Sequence, residues 1–315
     1  MGFSGMEKKV TIIIPNYNGG HLLKENLSRV INAAKFYSPK TEIIVVDDKS
    51  TDDSLEILEK NFPQVKVIVK EKNSGFSSSC NLGVRQATGE VVVLLNTDLY
   101  PEKDFLMPLV KHFANSEVFA VGCLEKSQEE KGIVLRGRGI GFFHNGFLIH
   151  QRGEINKTNT LWASGGSAAF AKEKWQQLNG FDEIYNPYYW EDIDLSYRAQ
   201  KMGWKVLFEK NSAVWHKHDQ GAIRKNYKSD YIEAIAFRNQ LLFMWKNIDT
   251  DLLIEHIFLL PTNLIKFILA RKETFVRGFL LAVGKLPQAL LKRRKNKFVV
   301  SDRLVVKEFH SEIHR

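Results

Sequence analysis

The sequence predicts an α/β fold: a mostly parallel sheet with helices on both faces, followed by a C-terminal region of basic, amphipathic helices. Two observations predict the first part. Short continuous apolar runs alternate with segments of helical periodicity, the pattern of strands buried on both faces. Three of those runs end in polar clusters, Pro15-Asn16-Tyr17-Asn18, Asp47-Asp48 and Asn96-Thr97-Asp98, at the carboxyl edge where such sheets bind ligands. A third observation predicts the C-terminal part. Of the 45 Lys/Arg and 36 Asp/Glu in 315 residues, eleven and two respectively fall between residues 266 and 303, so the formal charge of +9 belongs to that stretch.

Taken in order, residues 10–14 form a β-branched strand that stops at Pro15. Residues 21–36 place Leu22, Leu23, Leu27, Val30, Ile31 and Ala34 at helical spacing. Strand 42–46, helix 54–61, strand 65–69, helix 77–87 and strand 91–95 follow. The Gly-rich stretch 118–151 reads as loops and short strands, a substrate-facing insertion. A strand follows Gly165-Gly166, and residues 172–178 read as a helix. The helix 191–202 carries Glu191, Asp192 and Asp194 in its first turn, where acids meet the positive end of the dipole. A strand at 204–208 precedes Val214-Trp215-His216. Residues 231–247, 252–270 and 274–291 are helical, closed by Lys292-Arg293-Arg294-Lys295.

Composition narrows the class. The chain is 44% apolar and 26% charged, enough for a core without disulfide staples. Cys80 and Cys123 lack a metal or redox spacing and read as reduced, buried thiols of a cytosolic protein. The N-terminus shows no apolar signal segment. No apolar run reaches the roughly 18 to 20 residues of a membrane span; the nearest, 252–270, is interrupted by Glu255, His256, Pro261 and Lys266. The basic helices suit an anionic membrane interface, or else pack as ordinary helices on the catalytic domain.

The polar clusters carry the chemistry. Asp98, at a strand mouth, suits a divalent cation that neutralises a diphosphate; Asn96 and Asp98 read equally well as helix caps. Asp192 suits a general base, with Glu191 beside it and Asp194 as a charge on the helix surface. His216 or the neighbouring His218 suits a metal or phosphate. Gly165 and Gly166 admit either a close ligand or a tight turn. Trp162, Tyr188, Tyr189 and Trp190 suit sugar stacking or a core cluster.

Five ordered motifs carry a family resemblance: Thr11-Ile-Ile-Ile-Pro15-Asn-Tyr17-Asn18; Ile44-Val-Val-Asp47-Asp48-Lys-Ser50-Thr-Asp52; Asn73-Ser-Gly75-Phe76 through Asn81-Leu-Gly83; Gly89-Glu-Val-Val-Val-Leu-Leu-Asn96-Thr-Asp98; and Gly180-Phe181-Asp182-Glu183 through Glu191-Asp192-Ile-Asp194-Leu-Ser-Tyr-Arg198. Together, across residues 8 to 220, they resemble glycosyltransferase family 2, and within it the bacterial branch that includes rhamnosyltransferases of cell-surface polysaccharide synthesis. The resemblance implies a GT-A fold and inverting transfer from a UDP- or dTDP-linked sugar, rhamnose among the candidates, to a lipid-linked or polysaccharide acceptor. It implies that Pro15, Tyr17, Asn18, Asp47 and Asp48 hold base and ribose, and that Gly75, Asn81, Asn96 and Thr97 line the nucleotide. It makes Asp98 and His216 ligands of Mg²⁺ or Mn²⁺ and Asp192 the base with Glu191 its neighbour; on residue type alone, Trp162, Gly165, Gly166 and Trp190 read as the acceptor side. The family's DxD motif has Asn96 in place of its first acid, which lowers the charge offered to a metal.

The expected organisation is a catalytic domain at 8–225, with a nucleotide-binding half (8–100) and an acceptor half (101–225), and a membrane-associating region at 226–315. The expected location is cytoplasmic, on the inner face of the cell membrane, with no nucleic-acid partner and a homo-oligomer left open. A nucleotidyltransferase is the alternative enzyme, but residues 15–20 lack the basic residue of a phosphate loop. A nucleic-acid module is the alternative binder; it would interleave aromatics with its cations, whereas this tail interleaves Leu, Ile, Phe and Val.

Overall fold

The structure is a computed structural model and describes residues 8–129, 132–216 and 227–313. Its first half alternates β1 (Val10–Asn16), α1 (Gly20–Tyr37), β2 (Glu42–Asp47), α2 (Ser54–Asn61), β3 (Lys66–Val69), α3 (Phe76–Gln86) and β4 (Val91–Leu95). Then come β5 (Leu99–Pro101), α4 (Leu106–Val110), β6 (Val118–Glu129), β7 (Gly132–Arg136), β8 (Gly139–His144) and β9 (Phe147–Arg152). Next are β10 (Ser167–Ala171), α5 (Lys172–Gln177), α6 (Glu191–Lys201) and β11 (Lys205–His216). The C-terminal region holds α7 (Ser229–Asn247), α8 (Thr250–Leu269), α9 (Glu273–Val283), α10 (Leu286–Lys295), α11 (Asp302–Lys307) and α12 (His310–Ile313).

The main sheet runs β3-β2-β1-β4-β10-β6-β11-β5, with β7 on β6. β3, β2, β1 and β4 are mutually parallel. β10 enters antiparallel between β4 and β6, so the order turns over at β4. The inner strands β1, β2, β4 and β10 are buried on both faces, as continuous apolar runs require, while β3 lies at the sheet edge with Val67 and Val69 exposed. Val10, Ile12, Ile14, Val91, Val93 and Leu95 face the apolar stripe of α1 and α4. Ile13, Ile44, Val46, Val92 and Leu94 face α3, α5 and α6 on the other side.

The stretch 118–151 is more regular than its composition suggests. β6 is a twelve-residue strand buried through its first seven positions. The glycines mislead because they serve packing and turns. A Cβ at Gly139 would lie 1.9 Å from the Trp162 ring and one at Gly141 2.4 Å from Leu161, while Gly132 and Gly137 turn the chain with φ of +118°. β11 likewise runs past Phe208 to His216, because an irregularity between Glu209 and Ala213 absorbs the polar residues that read as a loop.

The C-terminal helices share a core with β9 and α6. Leu241, Leu242, Phe243 and Trp245 of α7, Phe275 of α9 and Ala289 of α10 pack with Phe147, Leu148, Trp190, Ile193 and Tyr197. α8 is continuous through Glu255, His256, Pro261 and Lys266. By length and composition alone it could cross a membrane, contrary to the reading of its interrupted run. Its buried His256 fastens it along the protein: Trp245 Nε1 donates to Nε2 at 3.1 Å, and Nδ1 lies 2.7 Å from the Gly146 carbonyl. The outward side shows Ile254, Ile257, Phe258, Ile265, Ile268 and Leu269 to solvent.

Candidate active site

The three polar clusters meet beyond the carboxyl ends of β1, β2 and β4. Asn16, at the end of β1, is buried, and its Nδ2 donates to Asp47 Oδ2 at 2.8 Å and Ser50 Oγ at 3.2 Å. Asp47 Oδ1 accepts from Ser50 N at 2.9 Å. Asn18, in a left-handed conformation with φ of 51°, receives Thr51 N on Oδ1 at 2.7 Å. These bonds lock the β1 and β2 loops together, with Asp47 wholly inside the lock. Pro15 is half-buried, whereas Tyr17 projects from the cluster with 39% of its surface free.

Asp48 reaches across to the start of α3. Its oxygens accept from Ser74 N at 2.9 Å and Gly75 N at 2.7 Å, and Lys70 Nζ stands 2.6 Å away. Gly75 holds φ of +91°, a conformation open to glycine, and turns the chain into the helix N-terminus. Lys70 was not singled out in the sequence; only its place one residue after a strand, near Asp48, could have pointed to it. Asn81 departs from expectation. Its Nδ2 donates to Phe181 O and its Oδ1 accepts from Phe181 N, both at 2.9 Å, so its amide braces α3 against the 180s loop rather than lining the nucleotide.

After β4, Asn96 and Thr97 are half-buried and Asp98 is buried. Pairing of β5 with β11 sets His216 opposite Leu99. His216 Nε2 thereby comes 3.4 Å from Asp98 Oδ2, and its Nδ1 3.6 Å from Oε2 of Glu125 in β6. Burial disfavours the imidazolium, but the carboxylates of Asp98 and Glu125, accepting from it and attracting its charge, outweigh that cost and raise the pKa to about 9. Glu125, held also by Ser167 Oγ at 2.5 Å, lay in the stretch read as irregular. Asp98 Oδ1 is buried without a hydrogen-bond partner among the described residues, a costly state for a carboxylate oxygen unless something occupies it in function. Among the described residues no three His, Cys, Asp or Glu side chains form a metal cage. His218 lies outside the described residues.

The other wall is the start of α6. Two consecutive residues before it, Tyr189 (φ 70°) and Trp190 (φ 76°), are left-handed, at roughly 1–2 kcal/mol each for residues with a Cβ. Asp192 then accepts from Gly165 N at 3.1 Å and Ile193 N at 2.8 Å. Burial raises its pKa against the lowering pull of those N–H groups, and the Glu125 charge adds to the rise. Glu191 is buried, with Oε2 unpartnered among the described residues. Burial, then the Asp192 charge, pushes its pKa up.

Asp194 is not the surface charge its position suggested. It is fully buried and bonded to Arg198, Tyr185, Asn247 and Lys246 at 2.7–2.8 Å. Gly165 and Gly166 sit against the machinery itself: Gly165 N holds Asp192, and a Cβ on Gly166 would stand 2.6 Å from the Asn96 amide. Trp190 packs on Phe243 and His150, and Trp162 on His150, which makes both part of the wall's support.

The glycosyl transferase family 2 model matches residues 11–176. Residues of this chain are 36% identical over 117 positions to a dolichol-phosphate mannosyltransferase of Pyrococcus furiosus, covering 36% of this chain and 32% of that protein. They are 25% identical over 218 positions to the O-antigen chain rhamnosyltransferase RfbN of Salmonella typhimurium, covering 67% of each. The chain thus spans about a third of the first relative and two thirds of the second. Among solved structures, GalNAc-T7 with UDP, GalNAc and Mn²⁺ superposes with a TM-score of 0.71 at 17% identity, covering 98% of this chain and 58% of that one. The mannosyltransferase PcManGT from Pyrobaculum calidifontis, with GDP-Man and Mn²⁺, gives 0.57 at 18%, covering 97% and 87%. These likenesses show a GT-A fold. With its parallel strands β3, β2, β1 and β4, its ordered strand-end motifs and more than half its length inside the family model, the chain belongs to glycosyltransferase family 2.

Proposed function

We infer that the protein is an inverting glycosyltransferase, moving a sugar from a UDP- or dTDP-linked donor to a hydroxyl of a lipid-linked or polysaccharide acceptor. The observation that carries this reading is the Asp192 carboxylate, held by Gly165 N and Ile193 N beside Gly166, which packs on Asn96, two residues before the unpartnered Asp98 oxygen. Asp192 takes the acceptor's hydroxyl proton. The acceptor oxygen bonds to the anomeric carbon as the bond to the diphosphate oxygen breaks, and the in-line path inverts that carbon. The strand-end loops, with Pro15, Tyr17, Asn18, Asp47, Asp48 and Gly75, cradle the nucleoside. Rhamnose is one candidate sugar, on the likeness to RfbN.

A divalent cation, Mg²⁺ or Mn²⁺, fits the residues present. Asp98 Oδ1 offers a buried free oxygen, and His216 follows at the same edge. A cation with one or two protein ligands and the donor's phosphates is an ordinary arrangement, and it suits Asn96 standing where an acid is common. When bound, the cation would neutralise the departing diphosphate. Mn²⁺ beside nucleotide or nucleotide-sugar in GalNAc-T7 and PcManGT supports this.

Membrane association belongs to the same reading. α8, α9 and α10 expose Phe258, Leu269, Leu280 and Leu291 among the cations of residues 266–303. This is the composition of an interfacial surface, and it suits a cytoplasmic enzyme on the inner membrane face. In domain terms, residues 8–225 are catalytic and 226–315 membrane-associating.

The test is a donor panel of UDP- and dTDP-sugars, with Mg²⁺ or Mn²⁺, scored by nucleotide release. Asp192→Asn should lower turnover by roughly 10² to 10⁴ while UDP binding, read by titration calorimetry, stays within twofold. Normal turnover by that variant would overturn the base assignment.

A further inference from the structure

α7 lies in the region read as a membrane appendage, yet its polar side chains face the turn that launches the base. Asn239 is fully buried. Its Nδ2 lies 2.8 Å from Tyr185 O, 2.9 Å from Tyr188 O and 2.8 Å from Tyr189 O. Arg238 Nε donates to Asn239 Oδ1 at 2.9 Å, which fixes the direction of that amide. Arg238 Nη2 donates to Tyr185 O at 2.9 Å and Asn186 O at 2.6 Å.

Four carbonyls of one turn therefore converge on two adjacent side chains of one helix. The turn ends in two left-handed residues, Tyr189 and Trp190. That conformation turns the peptides inward and is kept only where the surroundings over-determine it. The next residues are Glu191 and Asp192. Beyond them, Lys246 and Asn247 of the same helix hold Asp194 Oδ1 at 2.7 Å each. α7 thus grips the start of α6 on both sides of Asp192, while Gly165 N touches the carboxylate itself.

We propose that Arg238 and Asn239 are positioning residues for sugar transfer, acting through the turn at residues 185–190 to aim the Asp192 carboxylate at the acceptor hydroxyl. This rests on the reading of Asp192 as the base. Neither residue is assigned a contact with donor or acceptor, so their loss should fall on turnover and spare nucleotide binding.

The test uses the full chain with the donor and cation that score best in the panel. Asn239→Ala removes the amide. Arg238→Lys keeps the charge but cannot span both the Tyr185 and Asn186 carbonyls while supporting the Asn239 amide. Each should lower kcat at least tenfold, with donor KM and UDP affinity within twofold of the parent. Adding Asn239→Ala to Asp192→Asn should cost less than threefold more, because a base that is absent cannot be misaimed.

Folded variants with kcat within twofold of the parent overturn the proposal. So does a fall in UDP affinity that matches the fall in kcat, or failure of both variants to fold, since each marks a general structural role. If Asp192→Asn itself turns over normally, the base reading has failed. If Asp192→Asn is inactive while both α7 variants are fully active, only the positioning role has failed.

Discussion

Glu191, Asp192 and Asp194 share one turn of α6 and ionise differently because their surroundings differ. Asp194 faces Arg198 and Lys246, which hold its carboxyl below the usual range against the cost of burial. Glu191 and Asp192 are shifted up, burial being the first cause for each. A base works ionised, so kcat/KM should rise with pH through the raised Asp192 value and then level off. Glu191, pushed up to about 8 by burial and then by the Asp192 charge, is neutral while Asp192 ionises, so Glu191→Gln should leave that acid limb in place, read from a pH–rate profile. Asp98→Asn should weaken Mn²⁺ binding in the presence of UDP at least tenfold by titration calorimetry, because one buried charged ligand is gone. The sequence marked all three acids by type and spacing. It could not separate their roles, since a helix start hides which neighbours each carboxylate will meet.

At the scale of elements, strands and helices of the nucleotide half follow their pattern closely, as α3 illustrates. Its Cys80 and Val84 bury against Ile13 and Val46, and Gly83 allows the approach: a Cβ there would stand 2.4 Å from Ile13 Cγ2 and 3.2 Å from Val46 Cγ2. Gly83→Ala should destabilise the fold by about 1–3 kcal/mol, measured by urea unfolding. β6 and β11 were less legible. The glycines of the stretch that follows β6 do not break strands: Gly139 and Gly141 of β8 pack tightly against Trp162 and Leu161, and only the partner surface reveals this. The α6–α7 junction was not legible at all. Lys246 pairs with Asp182 and Asp194, both at 2.7 Å, from 64 and 52 positions away. Lys246→Met should cost about 3–5 kcal/mol by leaving buried carboxylates short of a cation.

On the scale of the whole molecule, α12 returns to the start of β8. Buried Arg138 donates to both oxygens of Glu312, at 2.7 and 2.9 Å. That pairing, with Lys157 also contributing, holds the Glu312 carboxyl at about 2 rather than its ordinary 4.5. A depressed carboxyl adds stability above its unfolded value and loses it as pH falls through the folded one. Thermal melts of the parent should therefore lose this contribution between pH 4.5 and about 2, and Glu312→Gln should flatten that part of the dependence. The outer face of α8 predicts a separate behaviour. Phe258 and Leu269 are 77% and 79% exposed, so replacing both with Ser should leave the melting temperature unchanged. It should lower flotation with anionic phosphatidylglycerol vesicles at least tenfold.

By itself the sequence determined the α/β class, the order of the nucleotide-half elements and the strand-end motifs. These depend on periodicity and on residues near one another in the chain, where a strand's apolar run must end in polar residues at the sheet edge. Tertiary structure alone decided which polar groups meet. It brought Glu125 and His216 to Asp98, turned Asn81 onto Phe181, buried Asp194 and set α7 against the turn that carries Asp192. Those outcomes depend on strand order, on a left-handed turn and on helix packing between distant segments, none of which leaves a local signature. The C-terminal region shows both limits together: its charge and apolar periodicity were plain in the chain, but its hold on α6 arises only where α7 packs.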